Sequence, residues 1–356
     1  MNMLLAFATL AIILTTLALL RPVDHDESQY VAAALLTAHG LIPYQDFAYL
    51  QTPLQPYLFA PIALIAGAWT WPALRITNAL LGTATIAAVH RAARIGSAST
   101  RAATIATALF ATCDILLFSI GTARNDALPA ACLALALPAI VRTARDQASR
   151  NDAILIGMLL AAAASAKISY ALPALTYGIW TLFRADRRPW WTLLGALPFI
   201  ALTTALFLQA PEGFLFGVIG FPGQAPTEWY QSRPWKLSNT AKIIDTLKFL
   251  ALGPALLAIV ATTGRRHRWH LILDLLIVAG LIAALAPVPT WRQYLLPVLP
   301  ALFVRLALVW HAHPPGKAMR IAAIVFACAG LAPHDRGRRE RPHPDARRDA
   351  RHGRGA

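Results

Sequence analysis

Three carboxylates and a histidine stand side by side near the start of the chain, in the run Asp24-His25-Asp26-Glu27. Repulsion between neighbouring carboxylates and their partial desolvation can make one of them a better proton acceptor, which suits a general base acting on a hydroxyl group. The run also precedes a short predicted helix that ends near Gly40. Acidic residues in a first turn cap a helix and complement its dipole, so a purely structural role stays open.

The residues that usually bind metals occur here without metal-binding spacing. His25 is predicted to be a polar interface residue, because no second histidine stands at a ligand spacing from it. The three cysteines, Cys113, Cys132 and Cys328, all lie in apolar runs, and no Cys-x-x-Cys pair occurs. The sequence therefore predicts neither a disulfide framework nor a cysteine zinc site, and no cofactor is predicted.

Four basic residues stand at the edges of predicted apolar segments, where they could bind an anion: Arg75, Arg124, Lys167 and Arg292. An ionisable group near membrane depth is a functional candidate, and guanidinium and ammonium groups are common phosphate ligands. Alternatives stay open for each residue. Lys167 could snorkel to the interface, Arg75 and Arg292 could be anchors, and Arg124 could simply pair with Asp126.

Three further charged residues, Asp114, Asp274 and Arg305, lie inside apolar runs. Such residues usually face the interior of a helix bundle and pair with one another. The sequence does not identify their partners.

The composition limits the elements that can position these residues. The chain has 356 residues, of which 57% are hydrophobic and 14% charged, with a mean hydropathy of +0.52. Soluble domains have about 45–50% apolar and about 25% charged residues. The composition therefore argues against a soluble fold, and the apolar content is too high for a disordered chain.

Apolar segments recur along most of the chain and predict an all-α integral membrane protein with about ten or eleven spanning helices. The segment 57–71 is interrupted by proline and glycine and is predicted to be re-entrant or interfacial. The predicted spans are 3–20, 73–90, 102–120, 127–141, 153–167, 169–183, 190–208, 241–262, 271–286, 294–310 and 319–332.

Positive charge in the loops predicts the orientation of the protein in a cell membrane. Four loops are rich in arginine: Arg91, Arg94 and Arg101; Arg142, Arg145 and Arg150; Arg184, Arg187 and Arg188; Arg265, Arg266 and Arg268. Treating 57–71 as non-spanning places all four loops and the N-terminus in the cytoplasm. The larger outward segments are then a first outer loop, 21–56, and a second outer loop, 209–240.

The second outer loop combines aromatic and basic side chains, among them Trp229, Tyr230, Arg233 and Trp235. These residues could stack on a sugar ring and hold a phosphate. Trp and Tyr also form belts at the headgroup level of membrane proteins, and the belt interpretation is favoured.

The last segment, 334–356, differs from the rest of the chain. It carries eight Arg and four acidic residues, and its apolar residues are alanines. The sequence predicts one membrane domain over 1–333, followed by a disordered or aberrant tail from a truncated or frame-shifted end. A nucleic-acid-binding arm is the disfavoured alternative, so no nucleic-acid partner is predicted.

Several short motifs together resemble the GT-C superfamily of polytopic glycosyltransferases, and within it the protein-mannosyltransferase and lipid A aminoarabinose-transferase group (glycosyltransferase family thirty-nine and bacterial relatives). The resemblance covers about residues 1–310. It is carried by Asp26-Glu27-x-x-Tyr30, Gly40-x-x-Pro43-Tyr44-x-Asp46, Pro53-Leu54-x-x-Tyr57, Arg75, Arg124-Asn125-Asp126, Gly157 with Lys167, and Arg292-Gln293-Tyr294-x-x-Pro297-x-x-Pro300.

The resemblance implies transfer of a sugar from a polyprenyl-phosphate donor to an acceptor hydroxyl on the extracytoplasmic face, with inversion at the anomeric carbon. The acceptor could be a glycan, a lipid or a protein of the cell envelope. By resemblance, Asp26 is the general base, Glu27 a positioning or second acidic group, and Asp24 the alternative base. Some members of the group bind a divalent metal, so a metal stays an open alternative. The remaining implied roles are donor-phosphate binding by Lys167, Arg292, Arg124 and Arg75, and substrate binding by Tyr30, Tyr57 and Asp126.

Two other interpretations remain. A lipid or solute transporter or flippase would show internal repeats with paired broken helices at the membrane midplane, and the sequence shows no clear repeat. An inactive, truncated relative of the enzymes is the third interpretation, which the unusual tail suggests.

Overall fold

The computed structural model describes residues 3–263 and 268–332. Within these residues the chain forms seventeen α-helices joined by short loops, 3-10 turns and one π turn, with no β-strand. The predicted all-α class is confirmed. In chain order the helices are α1 (Met3–Leu20), α2 (Glu27–Ala38), α3 (Leu54–Ala66), α4 (Thr70–Ile95), α5 (Thr100–Ala111), α6 (Asp114–Ile120), α7 (Ala127–Ala144), α8 (Arg150–Ala166), α9 (Ala171–Leu182), α10 (Pro189–Gln209), α11 (Pro211–Leu215), α12 (Phe221–Trp229), α13 (Asn239–Ala251), α14 (Ala255–Thr262), α15 (Leu271–Leu285), α16 (Leu299–Ala312) and α17 (Lys317–Leu331).

Every predicted span falls on a helix or a bent pair of helices, but fewer of them qualify as spans than predicted. Among the described residues, six helical segments are long and apolar enough to cross a membrane, and two bent pairs would raise the number to eight. The remaining three predicted spans correspond to α8, α9 and α17, which have 17, 12 and 15 residues. A straight span needs about 20 residues, so length and composition support six to eight spans rather than ten or eleven.

The segment predicted to be re-entrant or interfacial forms α3 and the turn after it. With 13 residues, α3 is about 20 Å long, less than the roughly 30 Å of a bilayer core. The chain turns at Gly67, whose φ is +53°. This backbone conformation favours glycine, which has no Cβ. Beyond the turn, the Thr70 hydroxyl donates to the carbonyl of Ala63 at 3.2 Å and ties α4 back to α3.

The helices form an inner and an outer layer. In α7 and in the segment Arg292–Ala312, 83% and 89% of the most apolar window is buried by protein, against 11% in α1 and 17% in Ala185–Gln209. The inner helices carry apolar residues on every face because other helices surround them. The outer helices turn large apolar side chains such as Ile12 and Trp190 outward, as lipid-facing helices do.

Two glycines explain how closely α8 and α10 pack. A Cβ on Gly157 would lie 1.8 Å from the carbonyl oxygen of Thr192, and one on Gly195 would lie 2.0 Å from that of Ile154. Small residues at such a crossing let two backbones approach each other in a membrane. Gly157, quoted above for the resemblance, therefore has a packing role that holds α8 and its C-terminal Lys167 in place.

Three of the four basic loops meet at one end of the bundle. Arg145 donates to the backbone of Ile95 and to the Ser97 hydroxyl, and Arg184 lies 3.0 Å from Asp146. Arg145 also lies 5.8 Å from the ring of Trp269, beside the fourth loop. The structure does not describe every predicted segment. Outside the described residues lie Arg265 and Arg266 of the fourth basic loop and the predicted tail, 334–356.

The two bent pairs touch at their breaks. Helices α5 and α6 meet at 65°, and α13 and α14 at 95°. The backbone N–H of Asp114, which begins α6, donates to the carbonyl of Leu252 at 3.1 Å. Gly253 between α13 and α14 has a φ of +125°, and a Cβ there would lie 2.8 Å from the Cα of Cys113. Each break therefore fixes the position of the other.

Candidate active site

Glu27 anchors the first outer loop to α4. The carboxylate is 1% exposed and accepts from Nε of Arg75 at 2.8 Å, Nη2 of Arg75 at 2.6 Å, the Trp71 indole at 2.6 Å and the backbone N–H of Ala123 at 2.9 Å. The backbone N–H of Asp24 adds a further bond at 2.9 Å. Burial alone would raise the pKa of Glu27, but these donors hold it below its usual value.

Arg75 is fully engaged by the same anchor. Beyond Glu27, its guanidinium donates to the carbonyl oxygens of Ala18, Arg21 and Pro22 at 2.7, 2.6 and 3.0 Å. A guanidinium has five N–H groups, and these bonds use all of them. The side chain is 2% exposed, so Arg75 holds the end of α1 and the start of the loop on α4 and has no N–H group left for a phosphate.

Arg124 joins the acidic run to the loop between α6 and α7. Its Nη1 donates to Asp24 at 2.9 Å and to Asp26, and its Nε donates to Asp126 at 3.2 Å. Attraction to these carboxylates raises the pKa of Arg124 despite its burial. The predicted pair between Arg124 and Asp126 is therefore present, and it is part of a larger cluster.

Lys167 completes this cluster from the end of α8. It stands at the C-terminal cap of that helix in an extended conformation, and its Nζ donates to the second oxygen of Asp126. Lys167 is 3% exposed, so its side chain points into the bundle rather than snorkelling to the interface. Burial would raise the pKa of Asp126, but the charges of Lys167 and Arg124 hold it below its usual value.

Asp26 is the most accessible carboxylate of the acidic run. Its side chain is 32% exposed, against 18% for Asp24 and 1% for Glu27. It occupies the N-cap position of α2 but makes no side-chain capping hydrogen bond. Instead it contacts Arg124, and one oxygen lies 3.3 Å from Nε2 of the exposed His25. A helix cap therefore does not account for the Asp26 side chain.

Three guanidinium groups surround the ring of Phe118 in α6. The Cζ atoms of Arg292, Arg21 and Arg124 lie 3.6, 5.0 and 5.5 Å from the ring centroid. Arg292 also lies 3.1 Å from Asp114, and the ring of Tyr294 lies 5.4 Å from Nζ of Lys167. The structure thus brings Arg124, Lys167 and Arg292 together, and adds Arg21, which the sequence analysis missed although it is the first basic residue after α1.

The two predicted substrate tyrosines lie in different places. Tyr30 is 3% exposed and packs on Tyr49 with ring centroids 6.5 Å apart. Burial raises the pKa of its hydroxyl, which the charge of Arg124 lowers and those of Asp126 and Asp26 raise. Tyr57 instead lines a cavity of about 330 Å³ between α2 and α3, together with Thr37 and Pro61.

Several buried polar atoms near the cluster have no hydrogen-bond partner within the described residues. They include Nε2 of Gln55, Oδ1 of Asn125 and the Tyr170 hydroxyl. Buried polar atoms are normally paired, so each such atom calls for an explanation. Gln55 lies in α3 and was not singled out from the sequence, because a single amide there carries no spacing signal. Asn125 lies in the motif Arg124-Asn125-Asp126 quoted above.

No metal-binding group stands out in the part of the chain that the structure describes. It contains no cluster of three or more His, Cys, Asp or Glu residues placed to hold a metal ion. One oxygen of each of Asp24, Asp26 and Asp126 accepts from Arg124 instead.

The geometry can be compared with known proteins. Residues 50–214 match the family model described as dolichyl-phosphate-mannose-protein mannosyltransferase. No curated protein sequence matches the chain. The crystal structure of ArnT from Cupriavidus metallidurans bound to undecaprenyl phosphate superposes with a TM-score of 0.67 at 17% identity, over 91% of this chain and 62% of ArnT. The apo structure of the same protein superposes with a TM-score of 0.65 at 18% identity, over 92% of this chain and 63% of ArnT.

A third structure, the Pmt1-Pmt2 protein O-mannosyltransferase complex of S. cerevisiae bound to the sugar donor, superposes with a TM-score of 0.44 at 17% identity, over 65% of this chain and 33% of that one. The present chain spans less than two thirds of the length of ArnT. The likeness to ArnT extends over nearly all of the chain, and the family model matches its central part. The chain is therefore an all-α integral membrane protein whose fold is similar to that of ArnT, and its residues 50–214 match the protein-mannosyltransferase family model.

Proposed function

We propose that the chain is a membrane glycosyltransferase that moves a sugar from a polyprenyl-phosphate donor to an acceptor hydroxyl. One observation carries the proposal: Asp26, the most exposed carboxylate of the acidic run, lies against Arg124, and Arg124 and Lys167 both contact Asp126. A proton acceptor thus lies beside buried cations that suit a phosphate. The ArnT structure to which the chain is similar contains undecaprenyl phosphate.

The donor phosphate would bind to the cations of the cluster. Arg124, Lys167 and Arg292 surround the space beside Phe118 and Tyr294, and guanidinium groups bind phosphate with paired, charge-assisted hydrogen bonds. Arg75, whose N–H groups are all used by Glu27 and backbone carbonyls, is assigned to positioning the loop instead. Glu27 has the same positioning role, because the side chains of Arg75 and Trp71 and the backbone N–H groups of Ala123 and Asp24 all donate to it.

The reaction would be a single displacement. The acceptor oxygen attacks the anomeric carbon from the face opposite the phosphate, and the bond between that carbon and the phosphate oxygen breaks. The bonding electron pair stays on the phosphate, and the configuration inverts. Asp26 takes the proton of the acceptor hydroxyl. Arg124 Nη1 contacts both Asp24 and Asp26, so a phosphate that draws this guanidinium toward itself leaves Asp26 free to accept the proton.

One atom on each of two buried amides supports a sugar beside the cluster, because it has no hydrogen-bond partner within the described residues. Nε2 of Gln55 can donate a hydrogen bond and Oδ1 of Asn125 can accept one. Both residues are 0% exposed, so their unmet hydrogen bonds carry a desolvation cost of about 1–3 kcal/mol each. Ring hydroxyls of a bound sugar, which both donate and accept, would satisfy them. The lipid chain and the acceptor would lie nearer the surface of the bundle.

The arginine-rich loops support the proposed sidedness of the site. Three arginine-rich loops contact one another at one end of the bundle, and that end is assigned to the cytoplasm because short cytoplasmic loops carry an excess of Lys and Arg. The acidic run and Arg124 then face the extracytoplasmic side, where a polyprenyl-phosphate donor and an acceptor of the cell envelope would meet.

The decisive experiment is an assay of donor consumption. The purified protein is incubated in detergent with a mixture of polyprenyl-phosphate sugars and with envelope lipids, glycans or peptides, and free polyprenyl phosphate is measured by mass spectrometry. Release of polyprenyl phosphate, coupled to a mass increase of one acceptor by one sugar, is the expected result. Persistence of every donor in the presence of every acceptor class would contradict the proposal.

A second candidate, a lipid or solute transporter, is favoured by one observation. The bent pairs α5–α6 and α13–α14 touch at their breaks, and transporters place binding sites at paired broken helices. The acidic run contacts Arg75 and Arg124 rather than a residue of these breaks, which favours the enzyme. Reconstituted vesicles distinguish the two functions, because a flippase moves a labelled polyprenyl phosphate across the bilayer without consuming a donor.

A further inference from the structure

Asn78 lies on α4, one turn after Arg75, and is fully enclosed by protein. The residue is 0% exposed. Its Nδ2 donates to the carbonyl oxygen of Thr122 at 2.7 Å and to that of Arg124 at 2.8 Å, across 44 and 46 residues of sequence. One amide thus holds two backbone positions of the loop between α6 and α7.

That loop, residues 121–126, depends on partners from other elements. Every residue of it is buried, and it lies between two helices rather than inside one. Buried backbone polar groups are nearly always paired, so an irregular buried loop needs donors and acceptors from outside itself. Glu27 accepts from the backbone N–H of Ala123 at 2.9 Å, and Asn78 supplies two donors from α4.

The same face of α4 also fixes the end of α6. Arg75, Asn78 and Gly82 are spaced three and four residues apart, so they lie along one face of the helix. A Cβ on Gly82 would lie 2.6 Å from the side chain of Ile120, the last residue of α6. Glycine at this position lets the two helices approach closely. Asn78 then binds the chain directly after it leaves α6, and the loop is held at a fixed distance from α4.

An asparagine suits this position because its amide carries two N–H groups. Turned the other way, the amide would place its oxygen against two carbonyl oxygens, so the two bonds determine its orientation. Oδ1 of Asn78 is buried and has no hydrogen-bond partner within the described residues. A buried acceptor without a partner destabilises a fold. Asn78 is therefore better explained by what its two donated bonds position than by its contribution to stability.

We infer that Asn78 is a positioning residue for Arg124, whose backbone it holds where one guanidinium contacts Asp24, Asp26 and Asp126 together. Two of these carboxylates belong to the acidic run and the third is the N-cap residue of α7. A rigid guanidinium fork contacts all three only if its own main chain is fixed. The inference rests on the proposed function, because it deepens the role of Arg124 in the donor-phosphate site.

Thr85 provides a matched control on the same helix. It lies seven residues, about two turns, after Asn78 on the same face of α4, and it is also 0% exposed. Its hydroxyl donates to the carbonyl oxygen of Leu81 at 2.8 Å, within α4 itself. Thr85→Val therefore removes a buried hydrogen bond that does not reach the loop, whereas Asn78→Leu removes the two that hold it.

The first measurement is hydrogen exchange of the full-length protein in detergent, followed by mass spectrometry. In Asn78→Leu, the peptide that covers 121–126 should exchange about tenfold faster or more, because the loop loses two hydrogen bonds. Exchange of the same peptide in Thr85→Val should stay within about twofold of the parent.

The second measurement is binding of undecaprenyl phosphate and of undecaprenol, which lacks the phosphate. Asn78→Leu should weaken binding of undecaprenyl phosphate about tenfold, the effect of losing one charge-assisted hydrogen bond, and should leave undecaprenol binding within about twofold of the parent. Arg124→Lys, which keeps the charge but not the planar fork, should lose at least as much. The double variant Asn78→Leu/Arg124→Lys should bind as Arg124→Lys does, because Asn78 acts only through Arg124.

Several results would overturn the inference. These are loop exchange in Asn78→Leu equal to that of the parent, an equal change in Thr85→Val, an equal loss of affinity for the two lipids, or additive losses in the double variant. If Asn78→Leu does not fold, Asn78→Ser keeps one donor on a shorter side chain, and parental loop exchange in that variant contradicts the inference. A parent protein that binds the two lipids equally contradicts the proposed donor site, and loop exchange then decides alone whether Asn78 holds the loop of Arg124.

Discussion

Asp26 is the N-cap residue of α2, yet its side chain makes no capping hydrogen bond and contacts Arg124, 98 residues further along the chain. A carboxylate at a helix N-terminus usually accepts from the backbone N–H groups of the first turn. Here Glu27, the next residue, is the one enclosed by donors, and its bonds to Arg75 and Trp71 hold the loop in place. Two adjacent acidic residues therefore have different surroundings, one exposed and one buried.

The first prediction follows from this difference. Asp26→Asn keeps the shape of the side chain but removes its ability to accept a proton, so kcat should fall by at least about 100-fold while donor binding is largely preserved. A helix-capping role instead predicts normal turnover, because Asn is also a good N-cap residue. Steady-state kinetics and thermal stability of the variant in the same detergent separate the two.

Asp24→Asn is the matched control for this prediction. Asp24 contacts the same nitrogen of Arg124 at 2.9 Å but is the less exposed of the two carboxylates, so a milder effect on kcat is expected. A dead Asp24→Asn beside an active Asp26→Asn would move the base by two residues without changing the class of enzyme. Full activity in both variants would remove the acidic run from the mechanism.

The second prediction concerns Lys167. Lys167→Ala should weaken donor binding about 10- to 100-fold, the loss of a charge-assisted hydrogen bond to the phosphate. It also leaves the buried carboxylate of Asp126 with Arg124 as its remaining cation. Breaking a buried pair costs about 3–5 kcal/mol, so the variant should also be less stable.

The double variant Lys167→Ala/Asp126→Asn separates the two effects. Removing the charge of Asp126 should restore part of the lost stability, measured by thermal unfolding, without restoring donor affinity. Recovery of donor affinity together with stability would mean that Lys167 supports the fold and does not touch the phosphate.

Much of the fold could be predicted because hydropathy is a local property. Each apolar run of the sequence lies on a helix or a bent pair in the structure. Length and composition select six to eight of the eleven predicted spans. Among the others, α8 and α9 have only 17 and 12 residues, and sequence alone does not show how neighbouring helices cover a short one. The breaks in α5–α6 and α13–α14 were also missed, because they depend on close packing at Gly253 and Gly330 rather than on proline alone.

The candidate site could be located from the sequence but not resolved. The acidic run, Lys167 and Arg124 were predicted from their types and their places at the ends of spans. Their separate environments depend on contacts between distant residues, such as Glu27 with Arg75 across 48 residues and Arg292 with Asp114 across 178. A single sequence does not contain such pairings, and it gave no reason to single out Arg21, Phe118 or Gln55.

The third prediction concerns pH. The pKa of Glu27 lies below its usual value of 4.5 because its hydrogen bonds outweigh the effect of burial. The unfolded chain therefore binds a proton here at a higher pH than the folded protein does. The stability that this carboxylate contributes is complete above about pH 4.5 and is lost as the pH falls through the lower folded pKa. Asp126, whose pKa is also lowered, should add to the loss.

Glu27→Gln should flatten this acid loss and lower stability at neutral pH. The variant leaves the buried Arg75 without its charged partner, for which about 3–5 kcal/mol is typical. Unfolding midpoints measured from pH 3 to pH 8 test both effects, with the exposed Glu228→Gln as the control that should follow the parent protein. A parent profile that does not fall below pH 4.5, or a Glu27→Gln profile parallel to it, would contradict this account of the loop anchor.

The last prediction concerns which end of the bundle faces outward. The basic loops that contain Ile95 and Asp186 approach one another at one end, and the acidic run lies in the first outer loop together with Gln45.

With the three native cysteines replaced, single cysteines at positions 95 and 186 should be protected from a membrane-impermeant thiol reagent in intact cells. Cysteines at positions 45 and 225 should react, because we propose that the first and second outer loops face outward. Permeabilised cells, in which all four positions should react, provide the control for accessibility. Reaction at 186 with protection at 45 would reverse the topology, and the proposed site would then face the cytoplasm, away from an extracytoplasmic acceptor.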